Sequence, residues 1–193
     1  MHNADDKSLM LRFQEEGDAL AFHELFRRHK VSLYRFLLKL SANESIVEDV
    51  SQHTWLRLIE LSEAGRYRAE PAASFQTFLF TLARNHYFDE YHRRHEAVRT
   101  ESLETMPEGL AELADDEAVN PEIHIAEAQD KDIIARALRG LPAEQREVLA
   151  LWMEGFELVE VAKITGAPWH TIVSRKRYGL AKLRLALSAS VVG

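Results

Sequence analysis

The stretch LPAEQREVLALWMEGFELVEVAKITGAPWHTIVSRKRYGLAKLRLAL, Leu141 to Leu187, carries the spacing of two short helices packed across a tight turn. Ala162 is followed four residues later by Gly166 and six after that by Ile172. A helix-turn-helix needs a small residue where the helices touch, a residue tolerant of positive φ in the turn, and an aliphatic anchor on the second helix. The second helix then bears Arg175, Lys176 and Arg177, followed by Lys182 and Arg184. Such a run of cations suits a helix lying in a major groove against phosphates. The bland alternative is an amphipathic hairpin with a solvated basic face.

Composition sets outer bounds. The 193 residues suffice for one mid-sized domain or two small ones, and a 46% hydrophobic content is enough for a packed core. Cysteine is absent, which excludes disulfides, thiolate metal sites and a cysteine nucleophile. No apolar run approaches the roughly 20 residues of a bilayer span, and the opening MHNADDKSLMLRF is acidic where a signal peptide is basic. These features predict a chain that stays in the cytoplasm without membrane insertion. The formal charge of −7 looks wrong for a nucleic-acid binder until it is divided along the chain. Residues 1–95 hold 13 basic and 14 acidic side chains, residues 96–132 hold 2 and 12, and residues 133–193 hold 9 and 5. The nets are −1, −10 and +4, so the acidity sits in one middle segment.

Taken in order, Ser8 to Phe26 shows helical apolar spacing interrupted at Gly17-Asp18, and Val31 to Leu40 continues as an apolar helix. Asn43 or Ser45 is placed to cap the next helix, which runs through Ile46, Val50, Trp55 and Leu58. Gly65 to Ser74 reads as a loop exposing Arg66, Tyr67 and Arg68. Phe75 to Arg94 resumes a helix dense in aromatics, either wholly core or partly a platform for bases beside Arg84, Asn85, Arg93 and Arg94. Residues 96–132, with Pro107, Gly109 and Pro121 among acids, read as a mostly extended linker. That linker ends near Pro121; from Glu122 a helix leads through Ile133, Ile134, Ala137 and Leu138 to Gly140, and another runs from Pro142 to Gly155, so two helices precede the hairpin and complete a four-helix C-terminal domain, residues 133–193. No stretch alternates long enough to make a strand. The expected fold is all-α, two small helical domains joined by an acidic linker.

This order of pieces resembles the bacterial RNA polymerase sigma factors of the extracytoplasmic-function (ECF) group. The resemblance rests on VEDVSQHTWL, FQTFLFTLARNHYFDEYHRR, the acidic linker, and LPAEQREVLALWMEGF before EVAKITGAPWHTIVSR. It implies a region-2-like domain over residues 1–95, a linker over 96–132 and a region-4-like domain over 133–193. It also implies a sigma factor that binds core polymerase, directs it to promoters and helps open the DNA. No enzymatic activity, cofactor or metal is implied.

The resemblance assigns roles residue by residue. Asp49, Gln52 and Trp55 match the family's D-x-x-Q-x-x-aromatic stretch, which docks on the β′ clamp helices, and Glu48 stands beside them; His53 replaces the usual acidic residue. Tyr67 matches the loop aromatic and Asn85 the Asn of the family's I-A-x-N motif, which place them at the −10 element together with Arg66, Arg68, Phe78, Arg93 and Arg94. Against the pattern P-x-G-T-V-K-S-R stand Pro168, Trp169, His170, Thr171, Ile172, Val173, Ser174 and Arg175. Thr171, Ser174 and Arg175 carry over as contacts to the −35 element, with Trp169, Lys176 and Arg177 on the same surface. His170 and Val173 depart from the pattern and leave base preference there open. The β flap of the polymerase and an anti-sigma factor are further implied partners. The linker would thread toward the active-site cleft, or serve simply as a solubilising tether.

Two other classes are open to the sequence. A helical metalloprotein would use some of the nine histidines. His23-Glu24 begins a zincin motif, but Arg27 stands where its second histidine belongs, and the pairs Asp49 with His53 and Asp89 with His92 lack inward carboxylates from two further helices. A stand-alone helix-turn-helix regulator would bind duplex DNA tightly without polymerase.

Overall fold

The computed structural model describes residues 4–68, 73–101 and 133–191. Asp5 accepts a hydrogen bond from the Ser8 amide at 2.7 Å and starts α1 (Asp6–Glu16). The chain turns at Gly17, and Asp18 at once caps α2 (Ala19–Leu40), accepting from the Leu20 and Ala21 amides at 3.0 and 3.2 Å. The interruption expected at Gly17-Asp18 is therefore a helix end followed directly by a helix start. Of the two candidate caps for α3 (Glu44–Glu63), Asn43 is the one used, its Oδ1 accepting from the Ile46 amide at 3.2 Å. Ser74 takes the same role before α4 (Phe75–Glu101), receiving the Thr77 amide at 3.1 Å. α4 runs six residues past position 95, so the expected linker boundary is corrected: helix continues where extended chain was expected. The rest of that expected linker, residues 102–132, lies outside the described residues.

Beyond it, residues 133–139 are helical (α5), followed by α6 (Ala143–Met153), α7 (Leu158–Thr165) and α8 (Trp169–Val191). All regular structure among the described residues is α-helical, as expected. Gly166 ends α7 at φ +70°, the left-handed conformation that a glycine adopts without a Cβ penalty. Gly179 meets a different demand. A Cβ there would stand 3.1 Å from Leu149 Cδ1, so the missing side chain lets α8 lie close on α6.

The core does not divide where the charge does. Leu25, Leu33, Phe36, Val50, Leu58 and Phe80 are fully buried among α2, α3 and α4. The same apolar cluster continues through Val148, Leu151, Phe156, Val161, Ile164 and Ile172. Phe80 is the link, 5.3 Å from Phe36 and 4.7 Å from Phe156 between ring centroids. A smaller cluster of Leu138, Leu141 and Leu149, with Ile134, Leu180 and Leu183 against it, ties α5, α6 and α8. The physical reason lies in α6, where Glu147, Val148, Leu149, Ala150 and Leu151 are all buried. Five consecutive buried residues cover more than one face of a helix, so α6 packs on both sides.

Two outcomes follow. Asn43→Ala should lower the unfolding free energy by about 1 kcal/mol in chemical denaturation, while Asn43→Asp, which keeps the acceptor, should lose little. Where α3 packs on α4, His53 and His86 stack at 4.6 Å, and His86 is held below its ordinary value of 6.5, first by burial and then by His53. A histidine lowered in the folded state contributes stability that is complete above its unfolded value and is lost as pH falls through the lowered one. The melting temperature should therefore fall as the pH drops below the ordinary histidine value of 6.5, and His86→Gln should flatten that slope. An identical slope in the variant would refute the assignment.

Candidate nucleic-acid interface

On α3 the sequence brings a carboxylate–amide face to the surface. Glu48, Asp49 and Gln52 are all exposed, with Gln52 about one turn on from the two carboxylates, and Leu56 continues the face at 55% exposure. Trp55, assigned to the same docking surface, is only 6% exposed. Its ring lies edge-on to Phe22 and Phe26 at 6.1 and 5.0 Å, and its buried Nε1 has no hydrogen-bond acceptor. Trp55 thus supports α3 from behind and does not present itself to a partner.

The loop after α3 divides in a similar way. Arg66 and Arg68 are exposed as expected, but Tyr67 is not: 3% of it is accessible. Its amide donates to Gln14 Oε1 at 3.0 Å, and Gln14 Nε2 donates back to the Tyr67 carbonyl at 3.4 Å. This two-way amide bracket turns the ring inward, edge-on to Phe78 at 5.1 Å and Phe75 at 6.5 Å. Burial, then Asp5 and Asp6, pushes the Tyr67 phenol above its ordinary range. Gln14 went unnoticed in the sequence because its partner is 53 residues away. Phe78 is half-buried beside Tyr67.

Along α4, Asn85 is exposed, and its Oδ1 accepts from Arg84 Nη1 at 3.3 Å. Arg84 also lies 4.8 Å over the Phe88 ring and pairs with Glu147 of α6. Arg93 is exposed and pairs with Glu90 at 2.7 Å, while Arg94 falls where only the helical backbone is described. The cations and the amide stand at the surface; of the aromatics, none of the two assigned to base stacking is fully open.

The second assigned surface is the start of α8. A reciprocal capping box between Glu157 and Glu160 opens α7, Ala162 is half-buried, Gly166 ends the helix in the left-handed region, and Ile172 is fully buried. Pro168 offers its carbonyl to the Thr171 and Ile172 amides at 2.9 and 3.1 Å and starts α8. His170, Ser174, Arg177 and Lys182 fall on the exposed face with Trp169, which is 56% accessible. Thr171, Val173, Arg175 and Lys176 are half-buried on the flanks. The Lys176 ammonium lies 3.9 Å above the Trp152 ring, a cation–π contact that ties it back to α6. No local signal in the sequence marks Trp152 for this contact. Arg177 stacks on Tyr178 at 4.8 Å and donates to its hydroxyl at 2.9 Å.

Among the described residues, no group of three or more His, Asp and Glu side chains is arranged to hold a metal ion, and no helix is long and apolar enough to cross a membrane.

Known proteins share this arrangement. A family model described as Sigma-70 region 2 matches residues 25–97, from within α2 through most of α4. The ECF RNA polymerase sigma factor SigL of Mycobacterium tuberculosis is 33% identical over 172 residues, covering 89% of this chain and 91% of its own length. The ECF sigma factor RpoE of Cereibacter sphaeroides is 30% identical over 187 residues, 94% of each chain. Two solved structures share the fold. CnrH, in complex with the cytosolic domain of CnrY, has a TM-score of 0.67 at 22% identity over 95% of this chain and 97% of that one. RpoE of Bartonella quintana, in complex with the anti-sigma factor NepR, has a TM-score of 0.66 at 24% identity over 86% and 96%. A stand-alone regulator would share only the hairpin, whereas the similarity to SigL runs through both halves. The chain belongs to the ECF group of RNA polymerase sigma factors, which direct the polymerase to promoters.

Proposed function

We propose that this sigma factor divides promoter recognition between its halves and attaches to core polymerase through α3. The observation that carries the reading is the separation of exposed chemistry: Glu48, Asp49 and Gln52 on α3, Arg66, Arg68 and Asn85 around the loop and α4, and His170, Ser174 and Arg177 on α8. The first set offers carboxylates and an amide to basic groups on the β′ clamp helices. The third holds duplex at the −35 element, where α8 reads base edges and its cations replace condensed counterions.

Between them, the second set serves the −10 element. Asn85 can both donate to and accept from a base edge, and Arg66 and Arg68 supply charge for the strand. Extruding a base costs a few kcal/mol, which stacking worth about 1–3 kcal/mol offsets. With Tyr67 bracketed by Gln14, that stacking requires the loop to release or Phe78 to open. The acidic segment 96–132 is assigned a course toward the polymerase cleft, and the C-terminal half a contact with the β flap. Because RpoE of Bartonella quintana is described with an anti-sigma factor, a comparable inhibitor is the regulator to seek. The working place is the cytoplasm, where the polymerase is.

Run-off transcription with purified core polymerase tests the reading. A defined start site should appear only when this chain is added. Asp49→Ala should weaken core binding by about tenfold or more, as expected for loss of a charge-assisted contact. Arg177→Ala should weaken duplex binding across sequences and reduce the salt slope by about one. No start site on the promoter of its own operon, with a core active toward another sigma factor, would overturn the proposal.

A further inference from the structure

The loop that leaves α3 is built more firmly than its composition suggests. Gly65 stands at φ +61°, its amide donates to the Ser62 carbonyl at 2.9 Å, and the Arg66 amide donates to the Leu61 carbonyl at 2.8 Å. This pair of bonds is a Schellman closure, which fixes the direction in which the chain leaves the helix. One residue later Gln14 grips Tyr67 by both its amide and its carbonyl, and Arg68 Nη1 reaches the same carbonyl at 3.4 Å. The ring between the two arginines points inward, while Arg66 and Arg68 are exposed on either side of it. That alternation is the one an extended segment produces, with neighbouring side chains on opposite faces.

Gln14 is itself mounted on a fastened helix. Leu9 and Met10 are buried beneath α1, Asp6 near its start accepts from Arg28 at 2.7 Å and pairs with His29 at 2.6 Å, and Arg12 near its end pairs with Asp18. The fixity of α1 on α2 is therefore carried by one amide side chain to the loop.

We propose that Gln14 is a positioning residue for promoter opening: acting through the Tyr67 backbone, it holds Arg66 and Arg68 as a preorganised pair of cations for phosphates of the unwound strand. The inference rests on the assignment of those arginines to the −10 element made above. A cross-link that served stability alone could end anywhere on α3 or α4, whereas Gln14 makes both of its bonds to the residue between two exposed arginines. Ordering a loop at the moment of binding costs affinity, and a backbone fixed beforehand leaves only the side chains to order. Arg68 spends one nitrogen on the Gly65 and Tyr67 carbonyls, and its other guanidinium donors suffice for a phosphate. Because Gln14 grips backbone atoms, the arginines keep their place while the rings beside them rearrange around a base.

The test is the affinity of the holoenzyme, the full-length chain on core polymerase, for a labelled single strand spanning the −10 region of a promoter mapped by run-off transcription. Gln14→Ala should weaken that binding about tenfold and leave core affinity as it was. Removing the cations with Arg66→Ala and Arg68→Ala should lower the salt slope by about 1.4, two phosphates at about 0.7 each. In that background Gln14→Ala should cost nothing further, because the groups it positions are gone. Gln14→Glu keeps the acceptor for the Tyr67 amide and loses the donor to its carbonyl; it should give an intermediate loss, and it decides the question should Gln14→Ala fail to fold. Equal losses in both backgrounds would make Gln14 an ordinary structural contact and overturn the inference, as would no loss in either. Unchanged affinity and salt slope on removal of the two arginines is a different result, which would bring down the −10 assignment itself and the inference with it.

Discussion

The seam in which Phe80 lies between Phe36 and Phe156 is the contact on which the arrangement of the two halves depends. Burying each ring is worth about 1.5–3 kcal/mol, and an aromatic pair about 0.5–1.5 kcal/mol more. It also sets the strength of everything polar around it. Glu147, paired with Arg84, and Glu154, paired with Arg35 and Lys39, are desolvated because α6 and the turn after it lie against α2 and α4. On an open surface the same pairs would be worth at most about 1 kcal/mol. Inside the seam, an unpaired member would leave a buried charge, so register between the halves is specified more sharply than the apolar surfaces alone require. Hydrophobic contact supplies the closure, and the carboxylates choose which closure it is.

Charge distribution gains a second meaning from this packing. The nets of −1, −10 and +4 describe segments of chain, but a partner meets only a surface. With Glu147 and the Glu154 side chain covered, the exposed acids of the last helices are Glu144 and Glu157, while Arg136, Lys163, Arg177, Lys182 and Arg184 face outward. The C-terminal surface thus stays basic, with five outward cations to two outward acids. A chain with a formal charge of −7 can still present a local field that attracts phosphate.

What was legible in the sequence was local chemistry. Asn43 as a cap, the break at Gly17-Asp18, the turn at Gly166 and the anchor Ile172 each follow from one residue's own backbone preference or one helical period. What was not legible depended on partners distant in the chain. Tyr67 sits in a stretch that reads as exposed loop, and only Gln14 turns it inward. Trp55 satisfies the docking pattern in sequence, while Phe22 and Phe26 take its ring. The contact between the two halves was not legible for the same reason, although a signal was present. The run Val148 to Leu151 is too continuous for a helix with one covered face, and the surplus side is the one that meets the N-terminal half.

The half-buried flanks of α8 also narrow how its reading surface can work. Lys176 is drawn over Trp152 and Arg175 is half-buried, so neither cation is directed wholly outward. His170, Ser174 and Arg177 form the outer row at helical spacing. The Ser174 hydroxyl donates to the His170 carbonyl at 3.0 Å, which leaves its lone pairs outward as acceptors. On the assignment proposed above, that residue is then matched to an amino group on a base edge, from adenine N6 or cytosine N4. Val173, half-buried beside it, offers only a methyl surface, for which thymine C5 is the complement. Where α8 departs from the family's pattern, its preference is therefore set by what the helix has already committed to its own packing.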